Sequence, residues 1–168
     1  MPVAAPHVDL SKLDFSRPIA GIEAIRQYIP QRPPFEMLTA IVHIEGAPNH
    51  LIVAYKDVTA EEFWVPGHMP GYPLLPGVLM LEAAAQLSGF YTFYTKVVEG
   101  ELIGLGGSGR CRCRRAVKPG DRLVLVGKGL RVKPRQTIFN VQGYVDGELA
   151  FDADVMGISL GKTKDLGT

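Results

Sequence analysis

The sequence lacks most features that mark secreted, membrane-spanning or nucleic-acid-binding proteins. It has two cysteines in 168 residues, and its N-terminus lacks a basic segment followed by an apolar one. We therefore expect no disulfide framework, no secretory signal and a cytoplasmic location. The formal net charge of +1 excludes a strong overall attraction to nucleic acid or to an anionic membrane. The longest apolar stretch, residues 78–94, contains polar residues and is shorter than the ~20 apolar residues that span a bilayer. It predicts a buried helix.

The remaining composition is that of an ordinary single domain. Hydrophobic residues make up 46% of the chain and charged residues 21%, which is sufficient for a substantial core. Residues 1–18 have no periodic pattern and predict an N-terminal extension. Residues 19–160 predict one domain without internal repeats, and residues 161–168 predict a loosely ordered tail.

The order of predicted elements indicates an α+β architecture. A short amphipathic helix, Ile22–Ile29, precedes one long apolar helix that starts near Pro76. Apolar runs separated by turn residues predict strands at Met37–Ile44, Leu51–Val58, Leu102–Leu105, Arg110–Val117, Leu123–Val132, Thr137–Val145 and Leu149–Ile158. Their short connections favour antiparallel pairing, because parallel strands need crossovers of about a dozen residues. An apolar helix has to be enclosed, so we predict an antiparallel sheet wrapped around one long central helix.

Two ionisable residues near the start of the long helix predict general acid–base chemistry. His68 lies in a loop rich in proline and glycine, and an imidazole is the natural base near neutral pH. Glu82 lies in the helix among apolar residues, where burial favours the protonated carboxyl group and suits a proton donor. Gln86 follows one helical turn later on the same face, so we expect it to orient that carboxyl group.

A glycine at the start of the same helix supplies a third element. The backbone N–H of Gly77 has no partner within the helix, and the helix dipole favours negative charge there. Together these residues predict abstraction of a proton next to a carbonyl group. His68 would be the base, Gly77 N–H would bind the enolate-like oxygen, and Glu82 would protonate a leaving group. The apolar surroundings imply an apolar substrate.

The stretch from His68 to Gln86 carries a specific motif. It reads H-x-P-G-x-P-x-x-P-G-V followed by L-E-A-x-A-Q. This pattern resembles the FabZ-type (3R)-hydroxyacyl-[acyl carrier protein] dehydratases of bacterial fatty acid synthesis. IPQRPPF (residues 29–35), RCRCRRAVKPGD (residues 110–121) and YVDGELA (residues 144–150) are similar to further segments of that family. The resemblance covers roughly residues 20–158.

The resemblance implies a hotdog fold and a shared active site. Members of the family pair as dimers, often three to a hexamer, and each site takes the histidine of one subunit and the glutamate of the other. His68 would then be the general base, and Glu82 the acid that expels the 3-hydroxyl group as water. Gly77 N–H would hold the thioester carbonyl. No metal or organic cofactor is expected, and the acyl chain would arrive on acidic acyl carrier protein.

The chain also departs from the family pattern. The differing residues are Gln31 for histidine, Pro33 for tyrosine, Thr39 and Ala40 for Asp-Arg, Met69 for phenylalanine and Cys113 for phenylalanine. Met69 is a tolerable apolar replacement, whereas Cys113 leaves extra room in or near the core. We expect these changes to affect acyl chain length and subunit packing more than the reaction.

Two further patterns have weaker claims to a function. GLGGSG (residues 104–109) matches G-x-G-x-x-G, but a basic strand follows it where a dinucleotide site needs a helix. We therefore exclude nucleotide binding. Cys111 and Cys113 have no accompanying pair of cysteine or histidine residues, and zinc sites usually offer four such ligands. We predict two small buried hydrophobic residues there and no metal site.

A basic stripe follows the glycine-rich stretch. Arg110, Arg112 and Arg114 alternate along a predicted strand and would share one face of it. That face is either simply solvated or a docking surface for acidic acyl carrier protein. The sequence leaves both interpretations open.

Two other functions also remain open. One is a hotdog acyl thioesterase, which would release a free thiol from the same substrates. The other is a non-catalytic hotdog protein that binds acyl chains. The presence of both His68 and Glu82 argues against the non-catalytic protein, because packing requires neither residue.

Overall fold

One long helix, one four-residue helix, a 3₁₀ turn at Leu10–Lys12 and seven strands form the fold of residues 5–162, the part of the chain that this computed structural model describes. In chain order the elements are β1 (Ala20–Gly21), α1 (Ile22–Ile25), β2 (Ala40–Glu45), β3 (Leu51–Asp57), α2 (Gly77–Tyr94), β4 (Glu101–Cys113), β5 (Arg122–Lys133), β6 (Gln136–Val145) and β7 (Glu148–Lys162). The strands form one sheet in the order β1-β2-β3-β5-β6-β7-β4, with all neighbours antiparallel. The predicted α+β architecture is confirmed.

The core lies between α2 and the inner face of the sheet. Helix α2 buries side chains on most of its circumference, so the sheet has to surround it. Alternate residues of the central strands point toward the helix, as the two-residue period of a strand requires. These include Ile52, Ala54, Leu123, Leu125, Phe139, Val141, Phe151 and Ala153. Within residues 5–162, no helix is long and apolar enough to cross a membrane.

Two elements near the N-terminus are shorter than the sequence predicted. Helix α1 ends at Ile25 instead of Ile29. The N–H groups of Gln27 and Tyr28 donate to carbonyls three residues back (3.1 and 3.0 Å) instead of the four that an α-helix requires. Strand β2 begins at Ala40 instead of Met37. The Met37 N–H donates to the side chain of Gln86 on α2 (2.9 Å), so it is not available to a neighbouring strand.

The predicted strands Leu102–Leu105 and Arg110–Val117 merge into one continuous strand, β4, which ends at Cys113 instead of Val117. Its pairing with β7 contains three register shifts, and these irregularities let the long β4 stay paired with β7 along its length. The intervening glycines belong to the strand because side chains of β7 lie over them. A Cβ on Gly106 would come within 2.6 Å of Ile158, and one on Gly104 within 2.8 Å of Leu160. β4 lies at the edge of the sheet.

The predicted N-terminal extension packs against the outer face of the sheet. Its apolar side chains cover a second cluster on that face and include Val8, Leu10, Leu13 and Phe15. His7 adds two hydrogen bonds to β6, from its backbone N–H to Gln142 Oε1 (3.0 Å) and from its ring to Asn140 Oδ1 (2.6 Å). At the other end, β7 continues to Lys162, and the remainder of the predicted tail lies outside the described residues.

Candidate active site

His68 lies in the loop between β3 and α2, and one hydrogen bond fixes its ring. The Nδ1 atom lies 2.8 Å from the carbonyl oxygen of Leu74. A carbonyl oxygen can only accept, so Nδ1 carries the hydrogen and donates it. The Nε2 atom of the neutral ring then has a free lone pair, which is the form that a general base needs. The His68 side chain is half-buried, and the peptide bond to Met69 is cis.

The loop that carries His68 is held by residues that the sequence analysis did not single out. The carbonyl oxygen of Trp64 accepts the His68 N–H (2.9 Å). The indole N–H of the buried Trp64 donates to Glu62 Oε2 (2.9 Å). Glu62 also accepts from Lys56 Nζ (2.9 Å) on β3 and from the Thr59 N–H (3.1 Å). Glu62 therefore ties the His68 loop to the sheet.

This role of Glu62 predicts a large loss of stability when its charge is removed. The side chains of Lys56 and Glu62 are only 7% and 14% exposed, so a variant without the carboxylate leaves a buried ammonium group. Breaking such a pair costs about 3–5 kcal/mol, so we expect Glu62→Gln to lower the free energy of unfolding by about 3 kcal/mol in urea denaturation. The exposed neighbour provides the control Glu61→Gln, which should change little.

A double variant separates the charge effect from packing. Lys56→Met with Glu62→Met should recover part of the loss, because replacing both partners of a buried pair with apolar residues is often neutral. Equal stability of Glu62→Gln and Glu61→Gln would contradict the role assigned to Glu62.

Gln86 holds Glu82 in one orientation, as the helical spacing predicts. Its Nε2 donates to Glu82 Oε1 (2.8 Å) and to the Phe35 carbonyl (2.7 Å), and its Oε1 accepts the Met37 N–H (2.9 Å). The Glu82 side chain is half-buried in the single chain, so it is more accessible than its apolar neighbours in the sequence suggest. This face of α2 is open one turn before Glu82, where the Val78 side chain is 74% exposed.

Gly77 is the first residue of α2, as predicted. The Pro76 carbonyl accepts the N–H groups of Leu79 (2.9 Å) and Met80 (3.1 Å), so the hydrogen bonding of the helix starts beyond Gly77. A side chain would not fit here, because a Cβ on Gly77 would lie 2.6 Å from Cys113 Sγ. Desolvation, followed by the nearby Asp152 carboxylate, raises the pKa of the Cys113 thiol. The sulfur beside Gly77 is therefore held in its neutral form.

In the single chain the predicted residues line different cavities. A cavity of about 130 Å³ lies between α2 and strands β4, β6 and β7, and it includes Glu82 and Gln86 in its lining. His68 does not line this cavity. Gly77 lines a separate depression together with Cys113. One chain thus brings Glu82 and Gln86 together but does not place His68 in the same cavity.

The predicted basic stripe is partly neutralised by two carboxylates of β7. Arg110 Nε donates to Asp154 (2.8 Å), Arg114 Nε donates to Asp152 (2.8 Å), and Arg112 lies opposite Asp152 in the strand pairing. Partial burial is the largest single influence on Asp154 and opposes its ionisation. The hydrogen bonds from Arg110 and Asn140 and the charge of Arg110 together outweigh it and hold the pKa of Asp154 below its ordinary value. The face therefore carries less free positive charge than the sequence alone suggests.

The other two patterns have no structure that would support a site. Cys111 and Cys113 are exposed instead of buried, because β4 is an edge strand whose register shifts between Gly109 and Arg112. GLGGSG lies inside β4, whereas a dinucleotide motif opens a helix. Among residues 5–162, no group of three or more His, Cys, Asp or Glu side chains could hold a metal ion.

Comparison with known proteins decides the family. A model of the FabA-like domain matches residues 29–154 of this chain, which include His68, Gly77, Glu82 and Gln86. The chain belongs to the FabA-like family. Within this family it is 38% identical over 138 residues to the 3-hydroxyacyl-[acyl-carrier-protein] dehydratase FabZ of Thiobacillus denitrificans, a match that covers 80% of this chain and 94% of that protein. It is 36% identical over 141 residues to FabZ of Polynucleobacter necessarius, with coverage of 83% and 93%. The resemblance to FabZ-type dehydratases is confirmed.

Solved structures agree on the fold of this FabA-like chain. A chain of the dehydratase heterocomplex ApeI:P from Xenorhabdus doucetiae superposes with a TM-score of 0.71 at 18% identity, covering 84% of this chain and 94% of that one. The predicted hotdog fold is confirmed.

Proposed function

We propose that the chain is a FabZ-type hydro-lyase. It would convert (3R)-hydroxyacyl thioesters of acyl carrier protein to trans-2-enoyl thioesters in fatty acid biosynthesis. The observation that carries this proposal is the hydrogen bond from His68 Nδ1 to the Leu74 carbonyl, which leaves Nε2 free to accept a proton. The identity to FabZ proteins over most of both chains supports the same reaction.

The reaction starts at carbon 2 of the acyl chain, next to the thioester carbonyl. His68 Nε2 removes a proton from this carbon, and negative charge develops on the carbonyl oxygen. That oxygen lies at the start of α2, where the Gly77 N–H and the helix dipole stabilise it. Glycine suits this position because it lets the ligand approach the backbone closely.

Glu82 completes the elimination by protonating the 3-hydroxyl group. The C3–O bond breaks, the C2–C3 double bond forms, and the hydroxyl group leaves as water. Glu82 Oε1 already accepts a hydrogen bond from Gln86, so the acidic proton belongs on Oε2. Gln86 thereby selects which carboxyl oxygen faces the substrate.

We infer that each site combines His68 of one subunit with Glu82 of another. Three observations support this arrangement. His68 does not line the cavity beside Glu82. β4 ends the sheet, and an edge strand offers unpaired backbone groups to a second copy. Val78 and Leu105 are 74% and 49% exposed near the site, so they offer an apolar surface to a second subunit. Assembly of three dimers into a hexamer follows from the family resemblance alone.

The substrate would arrive on the phosphopantetheine arm of acyl carrier protein, the carrier named for the FabZ relatives. Arg110, Arg112 and Arg114 are the candidate docking residues, although Asp152 and Asp154 neutralise part of their charge. The proposed steps use side chains and one backbone N–H, without a metal or organic cofactor. A cytoplasmic location remains a prediction from the sequence.

The proposal is tested with (3R)-hydroxybutyryl pantetheine and the purified protein. We expect the ultraviolet absorbance of an enoyl thioester to appear, and Glu82→Gln to lower kcat by about 10²–10⁴-fold. Glutamine keeps an oxygen for the Gln86 hydrogen bond, so the variant removes the acidic proton with little change of shape. Glu99→Gln, at an exposed position, is the matched control. Full activity of Glu82→Gln would refute the assigned role.

The same assay separates the alternative functions. A thioesterase would release free pantetheine, which a thiol-reactive dye detects, without enoyl absorbance. A non-catalytic acyl-binding protein would give neither signal. The glutamate–glutamine pair on α2 favours the dehydratase, because it presents an oriented carboxyl group next to a cavity.

A further inference from the structure

The cavity beside Glu82 is lined by both apolar and polar side chains. Ala85 and Gly89 leave space for it on α2, whereas neighbouring side chains fill the space beside Gly104 and Gly157 on the facing strands. The remaining lining includes Phe93 and Leu105 and the polar residues Glu82, Gln86 and Ser88. At about 130 Å³ the cavity approaches the size of one that holds a benzene-sized ligand, so it has room for about five or six heavy atoms.

Two further polar side chains belong to this lining. Thr137 Oγ1 and Gln31 Oε1 are both buried, and neither has a hydrogen-bond partner among residues 5–162. Both residues line the cavity, and Thr137 is only 2% exposed. Buried polar groups nearly always have hydrogen-bond partners. Two unpaired polar atoms beside one cavity therefore indicate a bound group that hydrogen-bonds with them. Gln31 is also one of the positions where the chain departs from the FabZ pattern.

The chemistry of the two atoms restricts what can bind beside them. Gln31 Oε1 only accepts a hydrogen bond, whereas a threonine hydroxyl both donates and accepts. A hydroxyl group suits either atom, because it can donate to Gln31 Oε1 and can accept from the Thr137 hydroxyl. A carboxylate has no hydrogen to give. An ammonium group would form an ion pair with the neighbouring Glu82 and occupy the carboxyl group that the proposed reaction uses.

We propose that the cavity binds the distal part of an acyl chain that carries an additional hydroxyl group, held by Thr137 and Gln31. This inference rests on the proposed function and names its substrate class. The reacting 3-hydroxyl group lies at Glu82, and the chain beyond carbon 3 enters the cavity. The room for about five heavy atoms beyond carbon 3 places the second hydroxyl near carbons 6 to 8 of an octanoyl chain.

The test compares pantetheine thioesters of 3-hydroxyoctanoate with those bearing a second hydroxyl at carbon 6, 7 or 8. We expect kcat/KM to be at least about tenfold higher for one of the hydroxylated chains, because a site built to hydrogen-bond a hydroxyl rejects its apolar analogue. Thr137→Val keeps the shape of the side chain and should abolish this preference. Thr92→Val is the control, since the Thr92 hydroxyl bonds to Ser88 within α2 and does not line the cavity.

A binding measurement keeps this inference separate from the proposed reaction. Calorimetry with the trans-2-octenoyl thioester and its 8-, 7- and 6-hydroxy forms should show the same preference without turnover. Equal affinity and equal kcat/KM for plain and hydroxylated chains would overturn the subsite, as would a preference that survives in Thr137→Val. If dehydration were absent but the binding preference remained, the proposed function would be refuted and the subsite would stand.

Discussion

Replacing His68 with alanine is expected to lower kcat for dehydration by about 10²–10⁴-fold, because the group that removes the substrate proton is lost. His68→Asn is the more informative variant. The asparagine NH₂ group can take the place of Nδ1 and still donate to the Leu74 carbonyl, but it cannot act as a base. We expect similar losses of kcat in both variants, measured with (3R)-hydroxybutyryl pantetheine. Only the alanine variant should also lower the free energy of unfolding.

Chemical rescue distinguishes the base from a residue that only shapes the loop. Imidazole added to the assay should restore part of the activity of His68→Ala, because it supplies the missing base. It should not restore Glu82→Gln, which lacks the acid. If His68→Asn were fully active, the hydrogen bond to Leu74 would be the whole contribution of His68, and another base would have to be sought.

The parts of the site that could be predicted from the sequence are those governed by local geometry. Residues four apart on a helix share a face, so the hydrogen bond between Gln86 and Glu82 follows from spacing alone. The turn Asp146-Gly147 is equally local. Both residues have positive φ, 53° and 77°, as the two-residue hairpin turn requires. In each case a few neighbouring residues decide the structure.

The parts that escaped prediction depend on contacts distant in space or sequence. Lys56 and Glu62 appear in the sequence as ordinary surface charges, and nothing local shows that Trp64 and β3 enclose them. Whether Cys113 is buried depends on the order of strands in the sheet, which places β4 at the edge. A residue pattern gives the period of a strand, but it does not give the position of that strand among its neighbours.

The exposure of Glu82 is a related case with a functional meaning. The sequence correctly shows apolar residues around it, yet Val78 is 74% exposed in one chain. Apolar residues predict that something covers the first turn of α2, and a single chain does not supply the cover. The difference between the sequence pattern and the single chain therefore supports a second subunit at this point.

A mixed dimer of two inactive variants tests this arrangement most directly. His68→Ala and Glu82→Gln chains with different affinity tags are coexpressed, and dimers that carry both tags are purified. If each site takes His68 from one subunit and Glu82 from the other, one site of the mixed dimer has both residues and the other has neither. The mixed dimer should then show about half the wild-type rate per dimer, while each variant alone remains nearly inactive.

The outcome is decisive because the two geometries predict opposite results from the same chains. If His68 and Glu82 act within one chain, every chain of the mixed dimer lacks one essential group, and the rate stays near zero. Both variants retain Gln86 and its hydrogen bonds to Phe35 and Met37. A misplaced side chain at position 82 therefore could not explain an inactive mixed dimer. Failure to isolate any doubly tagged species, with full activity of the wild type as a monomer, would overturn the shared site.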